Sequence, residues 1–188
     1  MEPIYIVLIV IGVVLFLIIS FLIKEFNGLT KLRNRVEDQW AQIDVQLKKR
    51  FDLIPNLVET VKGYAKHEKQ TFEDVIKARN SFTAAGTPEG EIKASGELTQ
   101  ALGKLFALAE AYPELKANEN FKQMQIDLKD IEEKIAYARQ FYNDAVLTYK
   151  NKREMFPSNI VAGMFNFQPK PFFEASDSER EVQKVSFE

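Results

Sequence analysis

The 188-residue chain contains no cysteine and a single histidine, His67. Without cysteine the chain forms no disulfide, no thiolate metal site and no cysteine-based active site. One histidine is too few for a two-histidine metal site or an HExxH zinc helix within one chain. We therefore interpret His67, which lies beside Glu68, as a surface residue and predict no metal site.

Neither sign of charge dominates, because 25 Lys and Arg oppose 27 Asp and Glu and leave a net charge of -2. Such a balance provides no overall field that would attract nucleic acid. The basic run Lys48–Arg50 has no interleaved aromatic residues, so we predict no nucleic-acid partner. We interpret this run as a cation cluster at the end of a helix, and contact with phosphate groups is its alternative.

Charge is absent from residues 4–23, a run of twenty residues rich in Ile, Leu, Val and Phe. As a helix this run spans roughly 30 Å, the thickness of the hydrocarbon core of a bilayer. A cleaved signal peptide is disfavoured, since the start Met1-Glu2-Pro3 has no Lys or Arg and no small-residue cleavage site follows. The sequence therefore predicts that residues 1–23 are an N-terminal transmembrane anchor whose partner, through residues 4–23, is the lipid bilayer.

Basic residues follow the anchor but do not precede it: Lys24, Lys31, Arg33 and Arg35. Loops rich in Lys and Arg remain on the cytoplasmic side of a membrane. We expect the N-terminus to lie outside and the large domain in the cytoplasm. The alternative is an extracytoplasmic domain.

Apolar residues recur every three or four positions in four stretches after the anchor, and no strand-like alternation competes with them. A break is expected at residues 52–56, because Pro55 disfavours a helical Ile54 and Asp52 can cap a new helix. The glycines and proline of Ala85–Gly90 indicate a loop. The predicted helices are Phe26–Phe51, Pro55–Ala84, Glu91–Tyr112 and a fourth that is capped by Asn118 and runs through Tyr149.

The fourth helix has the most regular spacing, with steps of three and four that form a heptad seam. Its mid-seam residue Leu128 is expected to be buried, whereas Lys129 and Glu132 are expected on other faces and insensitive to substitution. Four such stripes predict an all-α fold, in which residues 24–167 form an elongated, coiled-coil-like antiparallel four-helix bundle. The seam residues are Phe121, Met124, Leu128, Ile131, Ile135, Ala138, Tyr142, Ala145 and Tyr149.

After Arg153 the chain becomes aromatic and apolar. Ser158 is expected to cap a short helix that ends at Gly163. We interpret Phe156, Phe165 and Phe167 as a plug for one end of the bundle, and the alternative is a docking surface for a partner or the bilayer. Residues 168–188 are predicted to be an extended, disordered tail, because the last fifteen residues are charged and poor in apolar groups.

Four carboxylates, Asp44, Asp52, Glu59 and Glu68, are the candidates for paired acid–base chemistry. No nucleophile, base and orienting group accompany them, so we interpret them as charges on helix surfaces. The sequence predicts no catalytic residue, no cofactor-binding residue and no cofactor.

Several sequence blocks together resemble the LemA family of bacterial membrane proteins. The resemblance covers nearly the whole chain, apart from the anchor and tail. The blocks are Trp40–Arg50, Phe51–Val58, Ala111–Phe121, Arg139–Asn143 and Phe156–Asn159.

The resemblance implies an N-terminal anchor in the bacterial plasma (inner) membrane and a long helical bundle, but no established activity. We expect a non-enzymatic scaffold or adaptor that binds protein partners at the membrane and self-associates as a homo-oligomer. Family members are often encoded beside a membrane zinc metalloprotease. An accessory subunit of such a protease in envelope quality control is therefore one alternative, and an enzyme of unknown type is another.

Overall fold

The computed structural model describes residues 3–174, and this part of the chain is all-α, without a strand. The predicted fold class and the long apolar N-terminal helix are thereby confirmed. The helices are α1 (Pro3–Lys62), α2 (Lys69–Ala84), α3 (Pro88–Glu110), α4 (Pro113–Ala117), α5 (Glu119–Glu154) and α6 (Ser158–Met164).

Helix α1 begins with the apolar run and continues for 60 residues without interruption at Gly28. Within residues 3–174 it is the helix that is long and apolar enough to cross a membrane, and the protein buries none of its apolar window. A helix satisfies its own backbone hydrogen bonds, which a segment surrounded by lipid requires. The exposed apolar surface of residues 4–19 is therefore the surface expected of a membrane span.

The predicted break at residues 52–56 is wrong, because α1 contains Pro55 in its interior and continues to Lys62. An interior proline loses one helical hydrogen bond, at a cost of about 3 kcal/mol. Ile54, Leu57 and Val61 are fully buried on either side of it. Burial of each such side chain contributes roughly 1.5–3 kcal/mol, so the continued apolar stripe outweighs the proline. Asp52 therefore does not cap a helix, and α2 starts later than predicted.

The chain forms two compact units. The first, here called the anchor unit, contains residues 1–39 and 142–170, and is described from residue 3 onward. In it Lys152 of α5 forms an ion pair with Glu25 of α1, while Tyr149, one turn earlier, lies near Arg33 and Glu37. The two helices are therefore antiparallel here. The core of this unit consists of Leu29, Val36, Tyr142, Ala145, Val146, Tyr149, Val161, Ala162 and Phe167.

The second, here called the four-helix unit, contains residues 40–141 and 171–188, and is described as far as residue 174. Segments of α1 and α5 bury their apolar stripes here together with α2 and α3. The predicted seam of α5 is confirmed, since Phe121, Leu128, Ile131 and Ile135 are buried. The ring of Phe51 stacks on Phe82 with 3.9 Å between centroids, which joins α1 to α2.

Two turns at one end of the four-helix unit are joined by polar side chains. The hydroxyl of Tyr112 donates to Glu68 over 3.5 Å, and the amide of Asn118 donates to the hydroxyl of Tyr64 over 3.1 Å. The Asn118 oxygen accepts from the backbone N–H of Phe121 at 3.0 Å, which confirms the predicted cap of α5. The block Ala111–Phe121 therefore has a structural role in closing the turn between α3 and α5.

The segment after α6 is extended, and its described part makes specific contacts. In the anchor unit the hydroxyl of Tyr149 donates to the carbonyl of Gln168 over 2.8 Å, and Lys170 pairs with Glu37 at 3.2 Å. In the four-helix unit Phe173 is buried against Trp40. The predicted tail of residues 168–188 therefore includes contact residues at its start. The disorder predicted for residues 175–188 lies outside the described residues.

Candidate interaction surfaces

The four carboxylates singled out from the sequence do not form an acid–base pair. Asp44, Asp52 and Glu59 are exposed on α1, seven or eight residues apart. At a rise of 1.5 Å per residue they are separated by about 10–12 Å along the helix, too far to share a proton. Glu68 accepts the hydrogen bond from Tyr112, and His67 is exposed in the turn beside it.

A different carboxylate, Glu91 of α3, has a perturbed pKa. Burial raises the pKa of Glu91, and the negative charge of Asp44 raises it further. One of its carboxylate oxygens is buried without a hydrogen-bond partner. Within residues 3–174 no group of three or more His, Asp or Glu side chains is placed to hold a metal ion. Glu91 is therefore a locally unfavourable charge in the four-helix unit.

The basic run Lys48–Arg50 does not lie at a helix end, because α1 continues beyond it. This corrects the predicted cation cluster. Lys48 and Lys49 are exposed, whereas Arg50 points into the unit. Its guanidinium donates to the hydroxyl of Thr99 at 3.1 Å and pairs with a carboxylate oxygen of Glu132 at 2.9 Å. Arg50 therefore connects α1 to α3 and α5 inside the four-helix unit and is not free to bind an external phosphate.

An exposed aromatic pair lies on α5 in the four-helix unit: Tyr137 is 66% exposed and Phe141 is 60% exposed. Residues four apart lie on the same face of a helix, so the two rings are neighbours. The sequence analysis did not predict this pair. It could have been recognised because both aromatic residues fall outside the seam that predicts the buried face. We call this feature the Tyr137–Phe141 surface.

A second exposed apolar cluster lies in the anchor unit, at the end of α5 and on α6. We call it the α6 patch; its five residues, each at least half exposed, are Met155, Phe156, Ile160, Met164 and Phe165. The predicted aromatic plug is therefore correct for Phe167 alone. Phe167 packs its ring on Phe26 at 5.5 Å between centroids, whereas Phe156 is 80% exposed.

Ser158 does not cap α6 as predicted. Its hydroxyl lies within hydrogen-bond distance of the carbonyls of Lys152 and Met155, to which it can donate, and no side chain caps the first turn. Ser158 therefore fixes the reversal of the chain between α5 and α6. This bond helps to hold the α6 patch in place at the end of α5.

Comparison with known proteins identifies relatives of this chain. The chain is 24% identical to Magnetosome protein MamQ 2 of Paramagnetospirillum magneticum, over 83% of this chain and 67% of the relative. It is 23% identical to Magnetosome protein MamQ of Magnetospirillum gryphiswaldense, over 82% and 66% of the two chains. It is 22% identical to Protein LemA of Metamycoplasma hominis, over 82% and 71%. The chain thus spans about two thirds of the length of these relatives.

The family model described as LemA family matches residues 39–187, which is well over half of the chain. The matched range contains α2 to α6 and the part of α1 that follows Asp38. The apolar run of α1 precedes the match and accounts for the membrane location. The chain is therefore a membrane-associated helical protein that belongs to the LemA family.

Proposed function

We propose that this protein is a non-enzymatic scaffold or adaptor that binds another protein at the membrane through the Tyr137–Phe141 surface. The observation that carries the proposal is the exposure of two neighbouring aromatic rings on a helix whose opposite face is buried. Aromatic residues are enriched in protein interfaces, and tyrosine is prominent among the residues that dominate binding energy.

The area of this surface is sufficient for an anchor point. A buried aromatic side chain removes about 150–250 Å² from water. A partner that covers the roughly 60% of each ring that is exposed buries about 240 Å² of surface. This burial contributes about 6 kcal/mol to the free energy of binding, before the entropy of association is subtracted. Such a contact is too small to be a complete interface, but it is large enough to form the centre of one.

The membrane anchor strengthens binding to a partner that is also in the membrane. Both molecules are confined to two dimensions, which raises their effective concentration. The Lys and Arg residues that follow Ile23 support an orientation with the four-helix unit in the cytoplasm. Membership of the LemA family supports a bacterial inner-membrane location. A partner that presents an apolar groove on its cytoplasmic face is therefore the expected class.

The test is purification of the full-length protein from membranes in mild detergent, followed by identification and quantification of co-purifying proteins. The Y137S/F141S double variant removes both rings without changing net charge or buried residues. The matched control is Lys129→Ser, an exposed change on another face of α5. A partner that is retained in stoichiometric amounts by the original protein and by the control, and lost from the double variant, supports the proposal.

A partner retained equally by all three proteins would refute the role of the Tyr137–Phe141 surface. Absence of any stoichiometric partner would refute the scaffold itself. If the retained protein is a membrane zinc metalloprotease, the accessory-subunit alternative is supported. An enzymatic activity of the purified protein without partners would favour the third alternative.

A further inference from the structure

The α6 patch belongs to the part of the anchor unit that adjoins the membrane span. Lys152 of α5 pairs with Glu25, which is two residues beyond Ile23, the last residue of the apolar run. Helix α5 is antiparallel to α1 in this unit, so its last residues continue toward the span. The ring of Phe165 packs edge-on against Phe26 with 4.9 Å between centroids.

Phe165 also lines an apolar recess together with Leu22, Ile23, Phe26 and Asn27. Two of these residues belong to the apolar run itself. The α6 patch is therefore continuous with the surface that the span presents to lipid. This continuity distinguishes it from an isolated apolar patch on the side of a bundle.

The outward side of α6 is apolar although its inward side is already packed. Ser158, Val161 and Ala162 are buried, while Ile160 and Met164, four residues apart, are exposed on the other side. Such exposed clusters usually mark an interaction site. From Met155 to Pro169 the chain carries no charged residue, so no charge in this segment resists entry into an apolar medium.

The charges that flank the patch favour a membrane surface. Lys24 is exposed on α1 directly after the span, while Lys31, Arg33 and Arg35 are exposed further out, about 12–18 Å along the helix from Ile23. A cation at the depth of Lys24 attracts anionic lipid headgroups. Helices whose apolar face carries Phe or Leu lie at the same level of a bilayer. A protein partner at this position would have to displace lipid from the foot of the anchor.

We propose that the α6 patch is inserted into the interfacial layer of the bilayer beside the transmembrane span, as a second, non-spanning membrane contact. The occupant of the patch is lipid, with its acyl chains against Phe156, Ile160 and Met164 and its headgroups near Lys24 of α1. This contact fixes the orientation of the anchor unit at the membrane surface. It is independent of the Tyr137–Phe141 surface, which lies in the other unit.

The test uses tryptophan fluorescence of the full-length protein in lipid nanodiscs, with and without brominated acyl chains, which quench nearby tryptophan. The single tryptophan is replaced by Trp40→Phe, and one reporter is then introduced as Phe156→Trp. This substitution exchanges one highly exposed aromatic ring for another, so the fold is retained. Circular dichroism verifies that the helical content is unchanged.

Asn34→Trp is the matched control, because Asn34 is exposed on α1 of the same unit. It lies about 16 Å along the helix from Ile23, beyond a headgroup layer that is about 5–8 Å thick. Ile19→Trp, within the span, is the positive control. We expect at least about twofold quenching for Phe156→Trp and Ile19→Trp, and almost none for Asn34→Trp.

Two results would overturn the proposal, provided that Ile19→Trp is quenched. A Phe156→Trp reporter that emits like tryptophan in water and is not quenched would show that the patch faces solvent. A blue-shifted reporter that is not quenched would show that protein covers the patch, either a second copy of the chain or another partner.

Discussion

Glu132 provides the sharpest test of the packing in the four-helix unit, because its sequence position and its structural position predict opposite results. It falls outside the seam of α5, and the seam pattern alone predicts that Glu132→Ala changes the free energy of unfolding by less than about 0.5 kcal/mol. The structure instead places its carboxylate 2.9 Å from the guanidinium of Arg50, whose side chain is only 5% exposed.

The magnitude follows from what each substitution leaves behind. Glu132→Ala leaves a guanidinium inside the unit without this carboxylate, and removal of one partner of a buried pair costs about 3–5 kcal/mol. The side chain of Glu132 is 43% exposed, so solvent already screens the pair and the cost is reduced to about 2 kcal/mol. Arg50→Met removes the buried charge and conserves much of the volume. The remaining carboxylate can be hydrated, so we expect a change within about 1 kcal/mol.

The assay is thermal and denaturant unfolding of the full-length protein in detergent, monitored by circular dichroism. For a chain of this size 1 kcal/mol corresponds to about 2–4 °C in Tm, so Glu132→Ala should lower Tm by about 4–8 °C. The R50M/E132A double variant should be more stable than Glu132→Ala alone, because it also removes the buried charge that has lost the Glu132 carboxylate. Lys129→Ala, exposed on the same helix, is the control for loss of a charged surface residue.

Two outcomes would refute this reasoning. Equal, small effects of Glu132→Ala and Lys129→Ala would show that the ion pair contributes nothing to stability. A double variant that is less stable than Glu132→Ala would show that Arg50 acts through packing of its aliphatic stem and not through its charge.

Four further predictions follow from the same structure. Leu128→Ala should cost about 2–5 kcal/mol in the same unfolding assay, because Leu128 is buried on the α5 seam; a cost equal to that of Lys129→Ala would contradict the seam. Glu91→Gln should stabilise the protein at pH 7, but it should not increase the free energy of unfolding at pH values below 4.5, the ordinary pKa of a glutamate side chain. The raised pKa means that the folded state binds more protons than the unfolded state, so stability falls as pH rises through the folded pKa; a gain independent of pH would exclude this cause. Protease added to intact spheroplasts should leave residues 24–188 uncut if the domain is cytoplasmic, and cleavage would reverse the proposed orientation. We also propose that the protein is a homo-oligomer in detergent. Because the α6 patch is assigned to lipid, light scattering should give the same oligomer for the original protein and for the F156S/I160S variant, which changes only exposed residues of the patch. A monomer in both cases would exclude self-association.

The helical elements could be predicted to a large extent from the sequence. The apolar run, the regular seam of α5 and the cap at Asn118 are local patterns, and local hydrogen bonds and side-chain spacing specify them directly. The wrongly predicted helix break at Pro55 has a non-local origin. The local cost of an interior proline was outweighed by burial of Ile54, Leu57 and Val61 against other helices. The true end of α1 coincides with Gly63, a local indication that the sequence analysis passed over.

The functional surfaces depended on the tertiary structure. Spacing along a helix shows which side chains share a face, and this was enough to predict the buried seam. It does not show whether a second face is covered by another helix, by lipid or by nothing. Tyr137 and Phe141 fall outside the seam, and only the packing shows that both remain exposed. Phe156 was expected to plug the bundle but is exposed, and Arg50 was expected in a cation cluster at a helix end but is enclosed by α3 and α5. The sequence by itself determined the apolar run and the helical segments apart from the end of α1 and the start of α2, because their causes are local. Only the tertiary structure decided which apolar side chains remain for partners or lipid, because exposure depends on contacts between residues that are distant in the chain.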